Sequence, residues 1–377
     1  MTLPGAPLPR ISFLLRAFTA PSFRGEPWFN SRLEFTTRLY WQGRLAMAAG
    51  IEAVRKASRA DSVIVWIPDY FCNEALEPLR TLPFKLKFYP IREDLTPDWS
   101  KIETRANHNH SVQVFILVHY FGIPNALADA KTFCDHHRMI LLEDGAHLLR
   151  PHAGLAEGDL LVFSPRKLLA IPSGGILVLP RHLEVHIEDS CRYPKANDVL
   201  PWVSLRLVQM ILQRCRVPYH YFRSHAFRDG GVDGSQIPNS PELFNCAPYT
   251  LNLMSVMEAE LAGIIQKRRR NYLSLLEWLV GLEQARPLFF LDSEETCPYT
   301  FPLLVAEGVS EALAKLQSAG IPVSQWPLLP PEVRRHPSEH TVALQTYEHL
   351  LLLPIHQGLS LDQVKMMGRR LQKVLRG

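Results

Sequence analysis

Three things are scarce in this sequence. Cysteine is limited to Cys72, Cys134, Cys191, Cys215, Cys246 and Cys297, with no C-x-x-C pair. That spacing argues against a zinc cage and against a secreted disulfide framework, and the thiols read as reduced, in a cytoplasmic protein. Long apolar runs are missing too. Ile11-Ser-Phe-Leu-Leu15 stops at Arg16, which is too short for a signal-peptide core, and no segment reaches the roughly 18 apolar residues a membrane helix needs. Charge of one sign is also absent: 41 basic and 37 acidic residues are scattered to a net +4, without the concentrated basic surface of a nucleic-acid binder. There is no internal repeat and no low-complexity tract, and no set of metal ligands at suitable spacing.

What remains is an ordinary globular composition, 47% hydrophobic and 21% charged over 377 residues, enough for a large core and two domains. Residues 1–40 read as an N-terminal arm, proline-rich and then aromatic through Trp28, Phe29, Phe35 and Tyr40, suited to packing on a second subunit. Within 41–185, a helix pattern opening at Gly43-Arg44 is followed by apolar runs at 62–67, 85–89, 112–118, 139–142, 160–163 and 176–179, with helical stretches between several of them. Strands that are apolar throughout and alternate with helices predict an α/β domain with a mostly parallel central sheet and helices on both faces. Residues 186–250 are less regular and read as a connecting, interface-forming segment. Residues 251–377 read as a smaller C-terminal α+β domain that opens with a long helix from about Met254 to Leu282. The run Lys267-Arg268-Arg269-Arg270 reads as a solvated helix face, or else as contacts to a phosphate-bearing substrate or partner.

In parallel sheets, ligands bind beyond the carboxyl ends of the strands. Those loops hold Pro68–Cys72, His119–Gly122, Glu143–His147 and Ser164–Lys167. A lysine between two buried-strand patterns must be solvated, paired or consumed in a covalent bond such as a Schiff base. Asp144 alone reads as a helix cap or a ligand. An acid at one strand end and Lys167 at the next, however, is the combination pyridoxal phosphate requires: an amine for its aldehyde and a carboxylate for its ring nitrogen. A helix start at Gly43-Arg44, with the Ser164 hydroxyl, can take the phosphate. A side chain from Tyr70, Phe71 or Cys72 can cover the ring.

The order of Gly43-Arg44, Pro68-x-Tyr-x-Cys72, His119-x-Phe-Gly122, Glu143-Asp144-x-Ala-His147, Phe163-Ser-x-x-Lys167, Gly174-Gly175 and Leu353-Pro-Ile-His356 resembles the DegT/DnrJ/StrS family of pyridoxal-phosphate sugar aminotransferases, over about residues 40–375. The resemblance implies the fold type I transferase architecture and a homodimer with active sites at the subunit interface. It implies that Lys167 holds the cofactor and shuttles the proton, that Asp144 pairs with the pyridine nitrogen, and that His147 approaches the ring and its phenolic oxygen. Gly43, Arg44 and Ser164 fall at phosphate positions, and Tyr70, Phe71 and Cys72 at the stacking loop. Ser164 lies three residues before the lysine where many relatives have five, and Ser173 stands where an acidic residue often precedes Gly-Gly. His119, Trp326 and His356 are candidates for substrate contact, each with a structural alternative as a core or turn residue. The activity implied is transfer of an amino group from an amino acid, glutamate by analogy, to a nucleotide-linked keto-sugar. The alternatives are a pyridoxal-phosphate enzyme on a non-sugar substrate and a non-catalytic fold type I ligand-binding protein. Dehydratase relatives carry histidine in place of the lysine.

Overall fold

The computed structural model describes residues 3–23, 34–106, 111–150, 158–187, 196–215, 245–291 and 293–376. Seven strands form the main sheet: β1 (Phe35–Tyr40), β2 (Val63–Pro68), β3 (Phe84–Tyr89), β4 (Gln113–Val118), β5 (Ile140–Gly145), β6 (Leu160–Phe163) and β7 (Gly175–Pro180). Their order is β1-β7-β6-β5-β4-β2-β3. β3, β2, β4, β5 and β6 run parallel, and β7 and β1 are antiparallel additions at one edge. The mostly parallel α/β sheet expected from uninterrupted apolar strands is therefore present. β4 and β6 are buried at every position, as strands covered on both faces must be.

Two expectations change. The end of the presumed arm, Phe35–Tyr40, is an edge strand paired with β7 from Phe35↔Pro180 to Tyr40↔Gly175. Its residues alternate Thr, Arg and aromatic rather than forming a solid apolar run, because an edge strand buries less of itself. The arm aromatics Trp28 and Phe29, and the glycine-rich stretch 229–234, lie outside the described residues. The single long helix expected from Met254 is two, Pro248–Glu258 and Leu261–Leu276, broken at Ala259-Glu260.

A second sheet of four antiparallel strands, in the order β10-β11-β9-β8, comprises β8 (Ala285–Pro287), β9 (Phe301–Val305), β10 (Ser324–Gln325) and β11 (Leu350–Leu353). The helix Leu361–Leu375 packs on it through Val364, Met367 and Leu371, and starts with a capping box between Ser360 and Gln363, an arrangement that satisfies two otherwise orphan N–H groups. The two sheets share a boundary: Trp326, Leu329, Val333 and Leu350 belong to the same apolar cluster as β2 and β4. The loop after β2 is fastened across it. Asp69 and His340 pair at 2.9 Å in a buried setting, the Leu328 carbonyl accepts from the Asn73 N–H at 2.9 Å, and Arg80 makes a two-pronged contact with Glu332.

Candidate active site

The carboxyl ends of β2, β4, β5 and β6 converge, and each delivers one of the loops singled out in the sequence. β5 carries Asp144, paired in register with Val118 of β4 and Val162 of β6. β6 leads through Ser164 into a single 3-10 turn, Pro165–Lys167. Lys167 Nζ sits 3.0 Å from His147 Nε2. Asp144 is buried, and one carboxylate oxygen accepts from the Ala146 N–H at 2.9 Å. Burial pushes its carboxyl above the usual carboxylate range, and the positive charge of Lys167 works against that shift. Lys167 is thus electrostatically coupled to Asp144, to His147 and to the Cys72 thiol.

His147 is fixed from several sides. Its Nδ1 accepts from the Phe121 N–H at 3.2 Å. Its ring lies parallel to Tyr299 at 4.6 Å and to Phe121 at 5.9 Å, with Trp326 edge-on at 5.7 Å. Phe121 adopts a left-handed backbone, φ 55°, which is costly for a bulky residue. The turn lets its N–H meet His147 while its carbonyl accepts from the Tyr299 N–H at 2.7 Å. Burial, with the Lys167 charge adding to it, holds the His147 imidazole well below its usual range. With Nδ1 taken up by the Phe121 N–H, Nε2 is the nitrogen that faces Lys167.

The anion cradle is a close approach of backbone. A Cβ on Gly43 would sit 3.1 Å from Ser164 Cβ and 3.3 Å from its hydroxyl. A Cβ on Gly175 would fall 2.3 Å from the Gln42 carbonyl group. Glycine at both positions lets the start of the helix Gly43–Ala57 press against β7 and the Ser164 loop. No side chain caps that helix start, leaving its first N–H groups and its dipole for an anion.

Several candidates fall elsewhere. The Arg44 guanidinium turns to Glu77 at 2.7 Å and to the Glu74 carbonyl at 3.1 Å, which leaves its backbone beside Gly43. His119 is fully buried, in line with its alternative as a core residue: it lies 3.1 Å from Glu143, and its Nδ1 accepts from the Asn125 N–H. His356 likewise has structural partners. It is buried, bonded to the Pro4 carbonyl and to the Gly358 N–H, and burial pushes its imidazole down to about 3. Tyr70 stacks on Trp326 at 5.1 Å and Phe71 is buried. Cys72, half-buried, is the member of that loop that senses Lys167; burial pushes its thiol up and Lys167 opposes the shift. Trp326 does reach the site, against His147 and Tyr70.

Sequence reasoning missed Arg268. Far from being solvated, it is 1% exposed and donates to the carbonyls of Leu168, Pro298 and Tyr299 and to Gln357 Oε1. Gln357 donates to the same Leu168 carbonyl at 2.9 Å. Arg268 therefore ties the residue after Lys167 to the residue stacked on His147. Helical periodicity contained the signal: Ile264, Ile265, Arg268, Tyr272 and Leu275 share the buried face.

The residues present suit pyridoxal phosphate. A buried carboxylate with one engaged oxygen, a lysine amine on the neighbouring strand end and an uncapped helix start beside a serine match its ring nitrogen, aldehyde and phosphate.

No protein-family model and no curated protein matches the sequence. Solved structures do. The sugar aminotransferase Spr1654 from Streptococcus pneumoniae, described as putative and in its PMP form, superposes with TM-score 0.70 at 14% identity, over 100% of this chain and 98% of that one. Helicobacter pylori PseC, an aminotransferase in pseudoaminic acid biosynthesis, gives TM-score 0.70 at 14% identity over the whole of both chains. A mutant of the GDP-4-keto-6-deoxymannose-3-dehydratase ColD with bound GDP-perosamine gives 0.66 at 14% identity, over 98% of this chain and 99% of that one. This chain therefore shares the fold of these solved structures over its length.

Proposed function

We propose that this protein is a pyridoxal-phosphate-dependent aminotransferase that moves an amino group from an amino acid, glutamate by analogy, to a nucleotide-linked keto-sugar. The observation that carries the proposal is the convergence of Lys167, His147 and the buried Asp144 on adjacent strand ends beside the close approach of Gly43 and Ser164. The cofactor, when bound, supplies an electron sink for a carbanion. Lys167 contributes the amine that holds it and then takes and returns a proton at the substrate carbon. Asp144 would pair with the ring nitrogen and favour its protonated form, a contact that a dry setting strengthens. His147 Nε2 faces the amine and would lie beside the ring. The helix start and Ser164 would anchor the phosphate, and Trp326 and Tyr299 pack against His147 at the edge of the site.

The sugar-nucleotide assignment rests on analogy with PseC and with the dehydratase that holds GDP-perosamine. That a dehydratase shares the fold makes the chemistry a property of the site rather than of the architecture, and here the residue at the chemical position is lysine. A homodimer is part of the proposal, supported by Leu200, Leu207, Val208 and Ile211, which lie exposed along the helix Ala196–Arg214.

The test is half-transamination. Wild-type protein reconstituted with pyridoxal phosphate develops a visible band that glutamate abolishes as the pyridoxamine form accumulates, and a panel of nucleotide keto-sugars restores it. Lys167→Ala yields no amino transfer while its thermal midpoint stays within a few degrees of wild type. Amino transfer by that variant, or failure of wild type to take up the cofactor, overturns the proposal.

A further inference from the structure

Away from the strand-end site, two helices bring together donors that the function above does not use. Glu103 lies on the helix Trp99–Arg105, and His136 and His137 form the last turn of the helix Leu127–His137. One donor atom from each of the three lies within 4.8 Å of the others. We propose that Glu103, His136 and His137 form a surface site for a zinc-type divalent cation, with water completing the coordination.

Two imidazoles and a carboxylate are a donor set of borderline softness that suits Zn²⁺ and its first-row neighbours better than calcium or magnesium. Ligands about 2.1 Å from a tetrahedral ion stand roughly 3.4 Å apart. His137 Nε2 and Glu103 Oε1 are 2.9 Å apart, so a cation entering between them parts this pair by about half an ångström. The His136 ring stands edge-on to that of His137 at 4.8 Å, and its donor nitrogen lies within 4.8 Å of the other two donor atoms.

The cluster is also partly built. His137 is seated on the Phe133 ring at 4.5 Å, with its side chain 5% exposed, which removes most of the rotamer entropy that ligation would otherwise cost. Both histidines belong to the carboxyl-terminal turn of an 11-residue helix, where the negative end of the backbone dipole favours a cation. The ion would lock two helices that flank the sheet, stabilising the fold without entering the chemistry. This differs from the cysteine-based cages that the sequence excludes, because its ligands are histidine and glutamate from separate elements.

The test uses full-length protein stripped with EDTA and titrated with ZnCl₂ and, separately, CoCl₂. The expected result is one equivalent bound with a Kd on the order of micromolar, Co²⁺ d–d bands without thiolate charge-transfer, and a rise in thermal midpoint with metal. Glu103→Gln and His136→Ala, both at exposed positions, weaken binding at least tenfold and remove the metal-induced rise. Binding unchanged within twofold in both variants, a thiolate charge-transfer band, or no saturable binding in wild type overturns the site.

Discussion

Glu143 and Asp144 are neighbours on one strand, and their surroundings differ completely. Glu143 points to the side where every demand is met: His119 lies at 3.1 Å, the Gly158 N–H donates to it, and His119 is itself tied to Asn125. Asp144 points to the other side, where one oxygen takes the Ala146 N–H and a lysine charge acts from the next strand end. Because side chains alternate across a strand, two adjacent acids can serve opposite purposes. A buried polar group held by side chain and backbone on every side suits structure, whereas a buried carboxylate beside a lysine suits chemistry.

Substituting the two acids tests this contrast most strongly. Asp144→Asn is expected to lower turnover on the order of 100-fold or more while leaving denaturant stability nearly unchanged. Glu143→Ala is expected to do the reverse, costing about 3–5 kcal/mol of stability by leaving His119 and the Gly158 N–H without their partner. Its turnover per folded molecule stays near wild type. Equal losses of activity in the two variants would erase the distinction.

Arg268 sharpens it, because it sits on the structural side yet touches the frame of both Lys167 and His147. Arg268→Met strands the carbonyls of Leu168 and Tyr299, at an expected cost of about 2–4 kcal/mol. It also lowers kcat more than it raises KM, measured on the fraction that remains folded.

The pH dependence of His356 is a smaller, separable effect. Its folded imidazole titrates at about 3 and its unfolded one near 6.5. Between these values the unfolded chain binds the extra proton, so stability falls as pH drops below about 6.5, by about 1.4 kcal/mol per pH unit. Denaturation of wild type and His356→Asn across pH 4–7 should show this slope lost in the variant. The smallest effect is expected from Arg44→Ala, which removes a partly exposed pair with Glu77: under about 1 kcal/mol in stability and less than threefold in cofactor affinity. A large loss of affinity would restore Arg44 to the phosphate site.

The uniform apolar strands β4 and β6 revealed the sheet in the sequence because burial on both faces leaves no polar alternation to read. The chain-order motifs around Lys167, Asp144 and His147 pointed to the candidate site because each strand end contributes one short loop. Arg268 was hidden by its own charge, read as solvent-facing although its helical phase places it among Ile264, Tyr272 and Leu275. The partners of His119 and His356 were not legible because they come from distant segments: Glu143 for one, Pro4 for the other. Tyr299, which stacks on His147, comes from a loop whose position only tertiary packing decides.

The most direct test of the central claim is a crystal structure of the protein grown with pyridoxal phosphate. The account predicts continuous density from Lys167 Nζ to the cofactor, with Asp144 within hydrogen-bonding reach of the pyridine nitrogen and the phosphate at Gly43 and Ser164. A cofactor bound elsewhere, or one whose ring nitrogen faces away from Asp144, would contradict it.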